Sequence, residues 1–143
     1  MSDFPAVLRT YIEGLKTHDV DKISSTVADD MALVTPSQTL NKQQFLSLLR
    51  AIYAAFPDWH YEHGAPELRQ GLIAVTFRQG GSHTGTFALP GWHPVPATGK
   101  RVSIPEHYFF YKLQGEKIVQ IRPEPVLGGA PLGILEQIGV RIE

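Results

Sequence analysis

The spacing of apolar residues changes once along this chain, close to Pro57, and this change narrows the choice of fold more than any other feature. Before it, apolar residues recur every three or four positions, a period typical of amphipathic helices. After it, apolar and polar residues alternate, a period typical of strands. Helices followed by strands, rather than alternating with them, predict an α+β domain with a mainly antiparallel sheet.

Three helices are predicted in the first part of the chain. The first carries its apolar residues on one face: Val7, Leu8, Tyr11, Ile12 and Leu15. A second, short helix is predicted within 19–30, with Asp19 or Asp21 as its N-cap. The third follows the N-cap Asn41 and ends at Pro57, because proline lacks the amide hydrogen that a helix interior needs.

Strands are predicted at 31–35, 58–65, 72–79, 101–113 and 117–124, and a short closing helix from Pro131 through Gln137. The strand at 101–113 is aromatic on both alternations, because His107, Phe109 and Tyr111 share one face while Tyr108 and Phe110 share the other. A strand that is apolar on both faces is covered on both. We expect helices on one side, and a cavity, a partner subunit or both on the other.

Length and composition indicate one soluble domain over residues 1–143. The formal net charge is −1, so no basic field is available to attract nucleic acid or an anionic membrane. The chain has no cysteine, which removes thiolate metal sites and cysteine nucleophiles. It has no apolar run long enough for a membrane span and no signal-peptide pattern, so we predict a cytoplasmic protein without nucleic-acid or membrane partners.

Five motifs in order resemble the SnoaL-like polyketide (ester) cyclase branch of the nuclear transport factor 2-like superfamily: FPDWHYE (56–62), SHTGTF (82–87), PATGKRV (96–102), GEKIVQI (115–121) and LGILEQIGV (132–140). The resemblance covers most of the chain. It implies a cone-shaped barrel in which a strongly curved, mainly antiparallel sheet wraps around the N-terminal helices. It also implies a homodimer through the sheet, and aldol ring closure without a metal or an organic cofactor.

The resemblance also implies an acidic residue late in the last long strand and a histidine facing the cavity. Where the family has a tryptophan followed by an aspartate, this chain has Arg122, and the nearest acid is Glu124. Regular alternation places Ile118, Gln120, Arg122 and Glu124 on one face. We therefore take Glu124, His107 and Arg122 as catalytic candidates; Arg122 with Glu124 is otherwise a surface ion pair, and His107 otherwise a core residue.

Seven further residues are predicted to line the pocket: Tyr11, Tyr53, Trp59, His60, His83, Trp92 and Phe109. Four of them have an alternative interpretation: the two tyrosines as core residues or oxyanion donors, and Trp59 and His60 as cross-strand packing or cavity rim. Gly85, close to His83, indicates a bulge or a close backbone approach. His60 and His63 fall on opposite faces of a strand, so no metal site is predicted there.

The segment His83–Val102 contains three prolines and is longer than a hairpin turn requires. We predict a semi-rigid flap, with Trp92 folded over the cavity or over a partner.

The sequence therefore predicts a protein that binds a hydrophobic or polyketide-like small molecule. Its chemistry is expected to be cyclisation or isomerisation beside a carbonyl, with Glu124 or His107 moving the proton and Arg122 holding an oxygen. One alternative is a non-catalytic module that binds a ligand or a protein. The other is an isomerase of the ketosteroid type, which needs a tyrosine and an acid together in the pocket.

Overall fold

A computed structural model describes residues 5–35, 38–89, 91–126 and 132–140 of the protein, with four helices and seven strands among them. In chain order these are α1 (Ala6–Thr17), α2 (Val20–Thr26), β1 (Val27–Val34), β2 (Thr39–Leu40), α3 (Lys42–Ala55), β3 (His60–His63), β4 (Glu67–Arg69), β5 (Leu72–Ser82), β6 (Arg101–Gln114), β7 (Lys117–Pro123) and α4 (Leu132–Gln137). The predicted α+β organisation is confirmed. Pro131 lies outside the described residues. No helix in the described ranges is long and apolar enough to cross a membrane.

Side-chain caps fix the starts of two helices where the sequence predicted them. The side chain of Asn41 accepts from the amide of Gln44, and the Gln44 side chain accepts from the amide of Asn41, so α3 begins with a reciprocal capping box. Asp19 caps α2 by accepting from the amide of Lys22. That helix ends at Thr26, earlier than predicted, because the next residues pair with β7 as a strand.

The strands form one mixed sheet in the order β2-β1-β7-β6-β5-β3, and β4 also pairs with β5. Only β1 and β7 run parallel among the described pairs, so the predicted mainly antiparallel sheet is confirmed. The sheet is curved but not closed. The main core lies between its inner face and the helices α1 and α3.

Two β-bulges decide which residues face this core. In the β6–β7 pair, Lys112 lies opposite Gln120 but Leu113 lies opposite Ile118, so Val119 is an extra residue. Ile118 and Ile121 are therefore both buried, and the predicted single face from Ile118 to Glu124 is wrong. In the β5–β6 pair, a second bulge falls between the pairs Phe77–His107 and Gln79–Ile104.

The described residues of the flap between β5 and β6 pack on a second apolar cluster, which adjoins the main core. Phe87 and Leu89 are buried in it together with Val102, Ile134 and Leu135. Phe87 and Val95 exchange backbone hydrogen bonds of 2.9 Å, which makes the flap an ordered hairpin. The side chain of Trp92 is 41% exposed near its tip.

The helix α4 closes this second cluster. Its Gln137 side chain donates to the carbonyl of Ser103 (2.7 Å) and accepts from the Ser103 amide (2.9 Å), in the manner of a neighbouring strand.

Candidate functional site

A cavity of about 90 Å³ lies between the inner face of the sheet and the helices α1 and α3. Most of its wall is apolar: Leu15, Leu33, Leu40, Phe45, Leu48, Leu49, Ile52, Phe77, Phe109, Ile121 and Pro123. Its polar lining residues are Tyr11, Thr35, Gln38, Tyr61, Gln79, His107 and Tyr111. Among the described lining residues there is no carboxylate, ammonium or guanidinium group. Because an unpaired charge is costly to bury, such a cavity favours a neutral ligand.

His107 supplies the one imidazole among the described lining residues of the cavity. It is 4% exposed, and its ring lies 4.7 Å from the ring of Phe109. Its Nδ1 lies 2.8 Å from the carbonyl oxygen of Pro105. Because a carbonyl oxygen can only accept, Nδ1 carries the proton, and the lone pair of the neutral ring lies on Nε2. No described residue forms a hydrogen bond with Nε2, which leaves this atom for a ligand.

Three tyrosines belong to the cavity wall: Tyr11 from α1, Tyr61 from β3 and Tyr111 from β6. Burial raises the pKa of each of them above the ordinary value of a phenol. They therefore remain protonated at neutral pH and can donate hydrogen bonds. Tyr53 lies behind Tyr61 and outside the cavity lining, with its hydroxyl 2.7 Å from that of Tyr61. Burial raises the pKa of Tyr53 to about 12.

Gln79 is the remaining polar group on the inner face of β5. Its Oε1 accepts a hydrogen bond of 3.3 Å from the indole Nε1 of Trp59. Trp59 is 2% exposed and lies behind Gln79, outside the cavity lining. The sequence predicted Trp59 at the rim, whereas the structure places it as a support for a lining residue.

Arg122 and Glu124 lie away from the cavity. Arg122 is exposed and shares an outer groove with Arg69 and Phe110, because the bulge at Val119 turns it to the outer face of the sheet. Glu124 is half-buried, and its side-chain Oε1 accepts from the amide of Tyr108 at 3.1 Å. Its backbone amide donates to the carbonyl of Tyr108 at 2.8 Å, which continues the β6–β7 ladder beyond the end of β7. Within the described chain no ion pair joins Arg122 to Glu124.

Of the other pocket candidates, Tyr11 and Phe109 line the cavity, whereas His60, His83 and Trp92 do not. His60 is exposed on β3, because Tyr61 takes the inward position there. Trp92 lies on the flap, which packs on the second apolar cluster. In the described part of the chain no three side chains of the metal-ligating types lie together.

His83 is fully buried at the base of the flap. Its Nδ1 accepts from the amide of Thr98 (3.2 Å) and lies 2.8 Å from the Thr98 hydroxyl, so the proton of the neutral ring is on Nε2, which has no partner. The ring stacks on Phe56 at 5.2 Å. Burial lowers the pKa of His83, and the backbone carbonyls of Val95 and Gly85 offset this only in part. This histidine orders the flap and takes no part in the cavity.

We expect the lowered pKa of His83 to make the protein less stable in mild acid. The unfolded chain binds a proton near the ordinary histidine pKa of about 6.5, whereas the folded chain resists it. The contribution of His83 is therefore complete above that pH and is lost as the pH falls below it, at no more than about 1.4 kcal/mol per pH unit. Urea unfolding at pH 7.5, 6.5 and 5.5 measures the slope.

The matched variant is His83→Asn, whose side-chain oxygen can accept from the Thr98 amide without titrating. The difference in unfolding free energy between pH 7.5 and 5.5 should be smaller in this variant than in the wild type. Equal pH slopes in the two proteins would show that His83 protonates freely in the folded state.

The sequence-based reasoning did not single out Gln79, Tyr61 or Tyr111 as site residues, nor His18. Tyr111 was placed on the correct face, since it alternates with His107 and Phe109, and the same parity relates Gln79 to Phe77. His18 gave no signal, because its role depends on a contact 41 residues away: its Nε2 lies 2.6 Å from the carbonyl oxygen of Trp59.

The family assignment follows from comparison with known proteins. A family model described as a SnoaL-like domain matches residues 8–121, well over half of the chain. The chain belongs to the SnoaL-like domain family. No curated protein matches the sequence.

Solved structures share the fold of this SnoaL-like domain at low sequence identity. AclR of Streptomyces galilaeus, a proposed hydroxylase, has a TM-score of 0.72 at 19% identity over 94% of this chain and 79% of its own. A proposed SnoaL-like polyketide cyclase of Jannaschia sp. CCS1 has a TM-score of 0.67 at 15% identity, over 99% of this chain and 100% of its own.

A third neighbour is a protein of Catenulispora acidiphila with a ketosteroid isomerase-like fold, solved in complex with trimethylamine. It has a TM-score of 0.66 at 13% identity, and the match covers 97% of this chain and 96% of that one. Identities this low establish the common fold and leave the activity to be argued from the cavity itself.

Proposed function

We propose that this SnoaL-like domain binds a neutral, mainly apolar carbonyl compound in the cavity and moves a proton beside the carbonyl without a cofactor. The observation that carries the proposal is His107: a base held by the Pro105 carbonyl, with no described partner at Nε2, on the wall of a cavity whose described lining has no acidic, lysine or arginine side chain. The product is a cyclised or isomerised compound. Of the three catalytic candidates, His107 alone has this position.

The proton transfer uses groups that the chain already holds in place. Nε2 of His107 takes a proton from the carbon next to the carbonyl, and the electron pair of that C–H bond becomes the enolate. Protonated tyrosine hydroxyls of the wall, those of Tyr11, Tyr61 and Tyr111, donate hydrogen bonds to the developing oxyanion. The imidazolium then returns its proton to carbon for isomerisation. For cyclisation the enolate carbon attacks a second carbonyl carbon to close a ring, and the alkoxide formed there takes the proton from the imidazolium.

The size of the cavity limits the part of the ligand that it encloses. At about 90 Å³ it is smaller than a cavity of roughly 150 Å³ that is known to hold benzene. We therefore expect one small ring or a short chain to reach His107. A larger, polyketide-like compound extends past the partly exposed lining residues Thr35, Gln38 and Leu40. The fold neighbour that holds trimethylamine is consistent with a small ligand.

The test is deuterium exchange on a small ketone, which needs no knowledge of the natural substrate. Cyclopentanone is incubated with the protein in D₂O, and the loss of its α-proton signal is followed by NMR, with free imidazole at the same concentration as the reference. A rate that exceeds the reference and saturates with ketone supports the proposal. Saturable binding without exchange favours the non-catalytic ligand-binding alternative.

The alternative of a ketosteroid-type isomerase has less support. The cavity offers the tyrosines that such a site needs, but no carboxyl group belongs to its described lining.

We also propose that two copies of the chain associate through the outer face of the sheet. There the rings of Tyr108 and Phe110 are stacked at 6.0 Å, and the Arg69 guanidinium lies 4.3 Å from the centre of the Tyr108 ring. Aromatic and arginine side chains of this kind are enriched in protein interfaces.

We expect the wild-type protein to have the mass of a dimer by light scattering, and Phe110→Glu to shift it to a monomer, because the new carboxylate would be desolvated at the interface. Arg50→Glu, an exposed position on α3, is the control and should remain a dimer. A monomeric wild-type protein at 100 µM would rule out this interface.

A further inference from the structure

The side chains of Trp59 and Gln79 form a buried pair at the wall of the cavity. We infer that Gln79 is the hydrogen-bond donor that fixes the carbonyl oxygen of the ligand, and that Trp59 is the residue that positions it. The inference rests on the proposed function, since it concerns the same ligand in the same cavity.

The orientation of the Gln79 amide follows from its partner. The indole Nε1–H of Trp59 can only donate, so the atom 3.3 Å from it must be the amide oxygen of Gln79. The amide nitrogen therefore lies on the other side of the group. It forms no hydrogen bond with any described residue, although Gln79 is 7% exposed and lines the cavity. An amide donor without a described partner, on a buried residue that lines a cavity, is suited to a ligand acceptor.

Trp59 is itself held firmly, which makes it an effective support. Its carbonyl oxygen lies 2.6 Å from Nε2 of His18, and its amide donates to the carbonyl of Phe56 at 2.9 Å. Its ring meets the Phe56 ring edge-on at 5.2 Å. A side chain at Gly81 would come within 3.1 Å of the indole ring, so this glycine makes room for Trp59.

Gln79 stands where one small molecule can reach both it and His107. Phe77 of β5 lies opposite His107 of β6, and Gln79 follows two residues later on the same face. Both residues line the same cavity of about 90 Å³, although the β-bulge in this pair of strands sets Gln79 opposite Ile104 rather than Pro105. A carbonyl oxygen that accepts from the Gln79 amide would then present its α-carbon toward Nε2 of His107. The amide would thus select carbonyl compounds and orient them for proton removal.

The experiment compares two ligands of the same shape, cyclopentanone and methylenecyclopentane, in which a CH₂ group replaces the oxygen. Dissociation constants are measured by NMR titration for wild-type protein, Gln79→Met and Trp59→Phe. We expect Gln79→Met to weaken cyclopentanone binding about three- to tenfold, as loss of one hydrogen bond requires, and to leave methylenecyclopentane binding unchanged. Trp59→Phe leaves the Gln79 amide in place but removes the indole N–H that orients it. We therefore expect Trp59→Phe to weaken cyclopentanone binding as well, but less than Gln79→Met does.

Selectivity separates a positioning role from a structural one. A loosened cavity weakens both ligands together, as we expect for the control Leu49→Met, which changes the wall without touching a hydrogen bond. The inference is overturned if Gln79→Met changes both ligands equally or neither. If exchange still depends on His107 in that case, only the inference fails. Failure of the wild-type protein to bind cyclopentanone overturns the inference together with the proposed ligand class.

Discussion

His107→Asn is expected to lower the rate of α-proton exchange on cyclopentanone by about 10²- to 10⁴-fold, the usual contribution of a positioned general base. The asparagine amide nitrogen can take the place of Nδ1 and keep the hydrogen bond to the Pro105 carbonyl. What the variant lacks is Nε2, the atom to which we assign the proton transfer. The fold should be retained, and the dissociation constant of the ketone should change little.

Three variants serve as controls for this experiment. His60→Asn removes an exposed histidine on β3, and we expect its exchange rate to equal that of the wild type. Arg122→Gln and Glu124→Gln alter the other two candidates, which lie away from the cavity lining, and should also exchange at the wild-type rate. A loss of exchange in Glu124→Gln with none in His107→Asn would transfer the role of base to the carboxylate.

The contrast between His107 and Arg122 shows how far the sequence determines a site of this kind. Alternation within one strand is a local property, so the shared face of His107, Phe109 and Tyr111 was predicted correctly. The face of Arg122 depends on pairing between β6 and β7, where the extra residue Val119 reverses the alternation. A register shift of one residue moves every later side chain to the other face of the sheet. The local sequence pattern of β7 does not indicate such a shift.

The sequence also did not determine which surface the flap packs on, because that surface is a tertiary feature. Its density of prolines predicted an ordered segment, and the reciprocal bonds between Phe87 and Val95 confirm one. Its docking site consists of residues distant in sequence, including Ile134 and Leu135 of α4. The local sequence therefore could not decide whether Trp92 covers the cavity or a partner subunit. Gln79 lay within a predicted strand, but its link to Trp59 is a tertiary contact that a single strand cannot reveal.

Gly85→Ala is expected to destabilise the protein by about 3 kcal/mol, the upper end of what overpacking costs. Gly85 lies where the flap leaves β5, and a Cβ atom there would overlap the carbonyl oxygen of Ala54 at the end of α3. The close backbone approach predicted from the sequence is confirmed at this glycine. Because the obstacle is backbone, no side-chain rotation can relieve it.

The chain must instead separate from α3, and this disrupts a second interaction. The amides of Thr84 and Gly85 both donate to the carbonyl oxygen of Ala55, at 3.1 and 2.9 Å, and so satisfy the end of the helix. Urea unfolding measures the loss of stability, with Gly115→Ala as the control. Gly115 has a φ of 61° but no atom within 4 Å of an added Cβ, so we expect a conformational cost of only about 1 kcal/mol.

The same variant separates the flap from the cavity in function. Since none of the described flap residues belongs to the cavity lining, Gly85→Ala should bind cyclopentanone with nearly the wild-type affinity at temperatures where it remains folded. Equal destabilisation by Gly85→Ala and Gly115→Ala would show that the backbone at Gly85 moves away from the end of α3 at little cost in free energy. A folded Gly85→Ala protein that no longer binds the ketone would instead make the flap part of the cavity wall, as a lid over the ligand.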